Sequence, residues 1–244
     1  MTLPEILQDS LPYALNPKRP LPAVAPLDPK NLIIIDSAYA LQMAERERLI
    51  KDYKKDVTRL DSMAFEVAQE LLDAVLNFLP FLDGFKITKD IVECPDGREV
   101  SLNCSEPLLT LGHLVQCDFC ILQKHKDEHI LTGAILCFPS SWSLEEQFLR
   151  PLSIIHGPIQ TYNKDVGRRV QRLFDGIKPQ KPLWRFNELY YDAPDLFQPR
   201  KTANRRPQLK ISERRFLRSE RQVLFRLPQS QSVIFAIHTH VLKL

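Results

Sequence analysis

The end of the chain contains two long runs of β-forming residues that only a sheet can accommodate. Arg214 to Leu227 and Ser232 to Leu244 flank Pro228–Gln231, a connection of the length that joins antiparallel strands. In the second run, apolar positions alternate with a set that ends in histidines: Val233, Phe235, Ile237 and Val241 against Ile234, Ala236, His238 and His240. The alternation predicts one buried face and one face that becomes polar and solvated near the strand end.

Two helical patterns precede the sheet. Asp36 or Ser37 can cap a helix to about Lys55, with Ala38, Leu41, Ala44 and Arg48 on successive turns. A second helix is predicted from about Asp61 to Leu79, where apolar residues recur at three- and four-residue steps until Pro80. We expect these helices to pack as an antiparallel pair.

The rest of the chain completes an α+β plan. Residues 1–31 hold seven prolines and predict an extended arm laid over the domain. The helical pair occupies 32–80, and from Gly84 short β-prone runs between turns predict a sheet-containing core over 84–244. We therefore expect one α+β domain over 1–244, with an antiparallel sheet and flanking helices. Further predicted elements are strands at 115–123, 130–138 and 183–191 and a helix at 163–177, while 109–114 is ambiguous.

Composition excludes several classes of protein. No run of eighteen apolar residues exists, and the N-terminus lacks the order of a signal peptide, so we expect a cytoplasmic protein without a membrane span. An odd count of five cysteines indicates reduced thiols. With seven glycines and no Gly-rich phosphate motif, reducing equivalents must come from another polypeptide. A net charge of +3 does not indicate a nucleic-acid partner, although basic residues cluster between Arg200 and Arg221.

The stretch after the 130–138 run carries the most distinctive order of residues. Pro139 stops the strand, and Ser143 stands three residues before Glu146, the spacing of a capping box. This predicts a short helix that ends before Pro151. An apolar segment then ends at His156, immediately before Gly157 and Pro158.

Five segments in the same order resemble one known family. They are Phe138-Pro139-Ser140 before Trp142, Arg150-Pro151-Leu152, Ile155-His156 before Pro158, Trp184-Arg185-Phe186-Asn187, and Glu220-Arg221-Gln222 followed by Arg226-Leu227-Pro228. Together they resemble the haem-dependent oxidative N-demethylase alpha-subunit family, whose haem domain has a PAS-like fold. The resemblance covers roughly the last two-thirds of the chain, and a weaker similarity is present near the N-terminus.

The resemblance implies a haem-dependent oxidoreductase that carries haem b. His156 would be the axial ligand of the iron, and Trp142 would also lie at the cofactor. From the chemistry of their side chains, Arg221 is a candidate to hold a haem propionate, and Glu188 and Glu220 are candidate catalytic carboxylates that could bind the protonated amine. The implied reaction is a monooxygenase reaction, in which dioxygen and a small secondary amine give a primary amine and formaldehyde. A separate NADPH-dependent reductase would supply the electrons.

Departures from the family leave other functions open. The family usually has an acidic residue where this chain has Cys117, and Asn-Trp where it has Asn187-Glu188. These departures suit a non-catalytic haem-binding or ligand-sensing PAS-like protein. A haem-free interaction module that uses the basic loop is a third hypothesis.

Each candidate residue also has an ordinary structural interpretation. His156 can be a structural histidine, and Glu188, Glu220 and Arg221 can form cross-strand ion pairs. Cys117, Cys120, His125 and His129 suggest zinc, but strand alternation turns the two cysteines to opposite sides. His238 and His240 can hold a metal or be solvated residues at the strand end.

Overall fold

The fold contains seven α-helices and eleven β-strands among the residues that the computed structural model describes, which are 5–15, 22–157, 164–204, 206–207 and 209–244. The helices are α1 (Tyr39–Asp52), α2 (Lys54–Val57), α3 (Phe65–Phe78), α4 (Pro107–Leu114), α5 (Leu144–Gln147), α6 (Leu152–His156) and α7 (Lys164–Gly176). The strands are β1 (Ala25–Pro26), β2 (Thr58–Leu60), β3 (Lys86–Ile87), β4 (Ile91–Glu93), β5 (Glu99–Ser101), β6 (Asp118–His125), β7 (Glu128–Ile135), β8 (Leu183–Phe186), β9 (Leu189–Tyr191), β10 (Phe216–Arg226) and β11 (Val233–Lys243).

The main sheet is antiparallel and has the order β1-β8-β10-β11-β6-β7-β2, with β9 paired to β10. A small second sheet has the order β3-β4-β5. The predicted α+β class is confirmed. The predicted C-terminal hairpin is also confirmed, because β10 and β11 pair from Arg226 with Val233 to Phe216 with Lys243.

The two faces of the main sheet are covered by different elements. On one side, here called the α6 face, residues of α5, α6 and α7 pack against alternate sheet residues such as Leu131, Leu224 and Ile237. On the other side, here called the α1 face, α1, α3 and α4 pack against residues such as Val223, Ile234 and Ala236. Strand alternation therefore assigns neighbouring residues of β10 and β11 to opposite faces.

The expectation of a solvated second face on β11 is wrong. Ile234, Ala236, His238 and His240 are all buried. The α1 face is closed by helices and by residues 5–15, where the Gln8 amide donates to the Val241 carbonyl and its side chain accepts from the Val241 amide. Phe235, on the α6 face, is only half-buried.

This difference in burial predicts the relative cost of two substitutions in β11. Ile234→Ala should lower the free energy of unfolding by about 2–5 kcal/mol, because the side chain is fully enclosed. Phe235→Ala should cost less than the about 3–5 kcal/mol of a fully buried phenylalanine. Urea titrations of both variants measure the two losses. A larger loss for Phe235→Ala would contradict the assignment of the faces.

The helices that flank the α1 face differ in detail from expectation. Both α1 and α3 pack against α4, so a third helix lies between the members of the predicted pair. Of the residues that the sequence places on successive turns of α1, Ala38 is buried but Leu41 is 45 % exposed, while polar Gln42 and Arg46 are fully buried. Interior hydrogen bonds hold both polar residues inside.

The short helix after the 130–138 strand begins where predicted but without the predicted capping box. Ser143 is the residue before α5, yet its hydroxyl makes no capping hydrogen bond. Glu146 accepts instead from the amide and hydroxyl of Thr202. The carboxylate is therefore used to hold the 201–204 segment.

Two further features concern the described chain as a whole. None of the helices that the structure describes is long and apolar enough to cross a membrane. All five cysteines lie in the described residues and are free thiols, four of them buried and Cys104 exposed.

Candidate functional site

His156 is the last residue of α6 and is half-buried. Its Nδ1 lies 2.9 Å from the carbonyl oxygen of Leu152. Because a carbonyl oxygen can only accept, Nδ1 carries the proton, and the lone pair of a neutral ring is on Nε2. Burial lowers the pKa of His156, the Leu152 carbonyl opposes this, and the positive charge of Arg185 lowers the pKa further. The imidazole is therefore neutral and fixed in direction at pH 7.

Apolar side chains lie on the same side of the sheet as α6. Trp142, Ile155, Leu183 and Phe235 are half-buried and pack against the core cluster of the α6 face. Strand alternation places Leu183 and Phe235 on this face. Together the four give the α6 face an apolar surface, to which Ile155, the residue before His156, belongs.

Arg185 lies on the same face as His156. It follows Leu183 by two positions in β8 and pairs with Gln222 in β10, so strand alternation turns it toward α6. Its Nε is buried and makes no hydrogen bond with any residue that the structure describes. Burial lowers the pKa of Arg185, and the Glu220 charge opposes this. A buried cation without a full set of partners is suited to bind an anionic ligand group.

Glu220 also belongs to the α6 face and is 7 % exposed. It accepts hydrogen bonds from Asn187 Nδ2 at 2.7 Å and Gln222 Nε2 at 3.0 Å, while Asn187 Oδ1 accepts from its backbone amide. Asn187 breaks the predicted 183–191 strand into β8 and β9. The break thus has a physical role, because it places the amide that orients Glu220.

The other predicted site residues are separated from His156 or from each other. Glu188 accepts a hydrogen bond from the Tyr190 hydroxyl and does not bond to Glu220. Arg221 lies on the α1 face, where it donates to the carbonyl oxygens of Asn31 and Leu32. Of the predicted residues, Trp142 and Glu220 therefore lie on the same face of the sheet as His156, whereas Arg221 lies on the opposite face. Arg185 also lies on the α6 face, and its charge acts on His156.

A second polar cluster lies on the α1 face. His238 Nε2 is 2.9 Å from Asp36 Oδ2, and His240 Nε2 is 3.6 Å from the same oxygen. Contact with Asp36 and Cys117 raises the pKa of His238 to about 9 against the effect of burial, whereas burial and the His238 charge lower the pKa of His240 to about 3. Asp36 is predicted from sequence only as a helix cap. No short spacing could reveal its contact with His238, because the two are distant in the chain.

The four residues of the zinc interpretation are not brought together. Cys117 packs in the core of the α1 face and Cys120 in that of the α6 face, as their alternation indicates. His125 is exposed at the β6–β7 turn. His129 is buried and pairs with Gln171.

A comparison with models of protein families matches residues 23–244 to haem-dependent oxidative N-demethylase, alpha subunit-like. The chain belongs to this family. The matched range includes β8, β10, β11 and α6, and so the whole α6 face described above. A comparison with curated proteins finds no match.

The residues of the α6 face fit the haem that the family's name implies. An axial ligand must be a neutral imidazole that is usually oriented by a hydrogen bond from its other ring nitrogen, which His156 provides through Leu152. The porphyrin needs apolar contacts, which Trp142, Ile155 and Phe235 can make. Its carboxylates need a cation, and Arg185 lies on the same face.

Arg185 is a residue of the α6 face that the sequence analysis does not assign to the site. It lies inside the Trp184–Asn187 segment, and its spacing from Leu183 is the signal that assigns it to the α6 face. Arg221 follows the charged residue Glu220 directly, but it lies three positions before Leu224, and strand alternation therefore assigns it to the other face. The two arginines thus lie on opposite faces of the sheet.

Proposed function

We propose that this N-demethylase alpha subunit-like chain binds haem b through His156 and takes part in oxidative N-demethylation. The substrate would be a small secondary amine, converted with dioxygen to a primary amine and formaldehyde. One oxygen atom ends in formaldehyde and the other in water, with two electrons from a separate NADPH-dependent reductase. The observation that carries the proposal is the hydrogen bond from His156 Nδ1 to the Leu152 carbonyl, which puts the lone pair of a neutral ring on Nε2, the atom that would coordinate the iron.

The α6 face supplies binding and orientation for the cofactor. His156 would hold the iron, Trp142 and Phe235 would contact the porphyrin, and Arg185 would bind a propionate in a charge-assisted bond. Haem supplies the oxygen activation and the oxidising power when it is bound. We further infer that the sheet with helices on both faces is a PAS-like arrangement, with the haem on its α6 face.

Glu220 is the residue that we propose for binding the amine. A carboxylate attracts a protonated amine, and Asn187 and Gln222 hold this one in a fixed direction on the α6 face. Glu188 is the second proposed carboxylate. It follows Asn187 directly, and its bond with Tyr190 keeps it beside β9.

A second candidate function is haem or ligand sensing without turnover. It is favoured by the partners of the two proposed carboxylates, since Glu188 is held by Tyr190 and Glu220 by Asn187 and Gln222. A carboxylate that is already satisfied gains less from binding an amine than an unpaired one. Cys117, at the position where the family usually has an acid, lies on the α1 face beside His238.

Two measurements on the full chain separate these functions. A Soret band after haem addition would support cofactor binding, and formaldehyde release with an amine, dioxygen and a reductase would support the enzyme. Haem binding without turnover across a series of small secondary amines would favour the sensor. No Soret band at all would reject the enzyme and the haem sensor.

The two arginines give a prediction that depends on the faces of the sheet. Arg185→Met should weaken haem binding about tenfold or more, because a hydrogen bond to a charged group is worth about 1.5–3 kcal/mol. Arg221→Met, the matched control, should leave haem affinity unchanged, since Arg221 bonds to Asn31 and Leu32 on the α1 face. Transfer of haem to a scavenger protein measures both dissociation rates. Equal rates for wild type and Arg185→Met would reject the role of Arg185.

A further inference from the structure

The cluster of Asp36, His238 and His240 on the α1 face has no role in the proposed haem site. Asp36 lies just before α1, while His238 and His240 are two positions apart in β11 and so point to the same face. Their rings stack with centroids 4.5 Å apart. One ligand-type atom from each of the three residues lies within 4.8 Å of the other two.

His240 is the member of this cluster that the protein alone leaves unsatisfied. The residue is fully buried, and neither ring nitrogen makes a hydrogen bond of normal geometry with any described residue, although the Ser219 backbone opposite it in β10 interacts with the ring. The ring of Tyr13 lies edge-on to it, with 5.9 Å between centroids. Buried polar atoms are nearly always paired, so an unpaired ring aimed at a carboxylate indicates a missing partner.

The ion pair between His238 and Asp36 does not explain this arrangement. It satisfies His238 Nε2 at 2.9 Å, but His240 Nε2 stays 3.6 Å from the same oxygen, beyond hydrogen-bond distance. Asp36 Oδ2 is also contacted by Gln8 Nε2 at 3.1 Å. The oxygen is thus the meeting point of three side chains, of which His240 is the one without a bond.

We propose that Asp36, His238 and His240 bind one divalent transition-metal ion of the class that accepts imidazole and carboxylate ligands, such as Zn²⁺. Two imidazole nitrogens and one carboxylate oxygen are a recurrent donor set for Zn²⁺ and for non-haem Fe²⁺. Bonds of about 2.0–2.2 Å place neighbouring ligands of a tetrahedral ion about 3.4 Å apart. The Asp36 oxygen lies 2.9 and 3.6 Å from the two imidazole nitrogens, close to that spacing. Binding replaces the proton between His238 and Asp36, which leaves to solvent.

The residues around the cluster orient the ligands as outer partners of a metal site do. Asp36 Oδ1 accepts from the Ala38 amide at 2.9 Å and from Gln116 Nε2 at 2.8 Å, so Oδ2 faces the histidines. Cys117 Sγ is 4.0 Å from His238 Nδ1, on the far side of that ring. The Asp36 side chain is 17 % exposed and provides a route for the ion.

One nearby charge opposes cation binding. Arg221 pairs in register with His238 on the same face. Its guanidinium donates to the carbonyl oxygens of Asn31 and Leu32, which partly neutralise it. The net charge of the three ligands with both rings neutral is −1, so a divalent cation is still favoured in a region closed to bulk water.

Calorimetric titration of tag-free, EDTA-treated full-length protein with Zn²⁺ tests the site. Wild type should bind about one equivalent with a Kd on the order of 1 μM or lower, and elemental analysis after desalting should find the same ratio. Asp36→Asn and His240→Gln should each weaken binding by about a hundredfold or more, since each removes a direct ligand. Thermal unfolding should show a Zn²⁺-dependent rise in Tm for wild type and none for either variant.

Two controls make the result specific. His125→Gln removes an exposed histidine of the β6–β7 turn and should bind Zn²⁺ as wild type does. His156→Gln should also bind normally, which separates this site from the haem site. Circular dichroism establishes whether each variant is folded. If His240→Gln does not fold, Asp36→Asn alone provides the test of the site. Absence of stoichiometric Zn²⁺ in wild type, or unchanged affinity in folded Asp36→Asn, would overturn the proposal.

Discussion

Haem added to a His156→Ala variant should give no histidine-ligated Soret band, or a haem too weakly held to survive gel filtration. The expected effect is large because the variant removes the imidazole that is proposed to ligate the iron. The Leu152 carbonyl would then have lost the ring that it orients. Visible spectra in oxidised and reduced states, together with the haem-to-protein ratio, measure the change.

Controls for this result use histidines of known position. His125→Ala, at the exposed β6–β7 turn, and His240→Gln, on the α1 face, should both retain the wild-type spectrum. Added imidazole should restore a histidine-like spectrum to His156→Gly, because it can occupy the space of the missing ring. An unaltered Soret band and affinity in His156→Ala would place the iron on another ligand.

The sheet was predictable from sequence because strand alternation and turn residues are local signals. The pairing of β10 with β11 follows from two β-prone runs and a short connection, and it is found in the expected register. The strand β2, with three residues, is too short to produce a periodic signal. The same limit applies to α4, whose apolar run fits a strand or a buried helix.

The errors of the sequence interpretation arise where polar residues are buried. Sequence patterns identify the buried side of a helix from its apolar residues. In α1, however, Gln42 and Arg46 point into the core, because carbonyl oxygens and a side chain there form hydrogen bonds with them. The sequence also predicts His238 and His240 to be solvated, because they are polar residues near a strand end. Their partner, Asp36, comes from the start of α1, and no pattern within a window of sequence connects it to β11.

The proposed haem site combines local and non-local signals. The position of His156 at the end of an apolar segment is evident from sequence, and the structure adds the hydrogen bond that puts the proton on Nδ1. The placement of Arg185 and Arg221 on opposite faces follows from the register of β8 with β10. Register depends on pairing between distant segments, so it is the part of the site that local sequence does not determine.

Arg46→Met should be the most destabilising of the substitutions considered for the α1 face. Arg46 is fully buried and its Nη1 lies 2.6 Å from Asp118 Oδ1, while other guanidinium atoms donate to the carbonyl oxygens of Gly112 and Cys117. The variant leaves the Asp118 charge buried without its partner, which costs about 3–5 kcal/mol. Arg48→Met is the matched control on the same helix, since that arginine is 36 % exposed and should contribute about 0–1 kcal/mol.

The reason for the large effect lies in what Asp118 holds. Its two oxygens accept from the backbone amides of Cys137 and Phe138, both at 2.8 Å, and so fix the chain just after β7. That chain continues to Trp142 and α6, which carry the proposed haem contacts. Arg46→Lys keeps the charge but loses the planar fork, so its free energy of unfolding in urea should fall between those of wild type and Arg46→Met. A loss below about 1 kcal/mol in Arg46→Met would show that Asp118 is satisfied without the arginine, and that α1 does not anchor this end of the sheet.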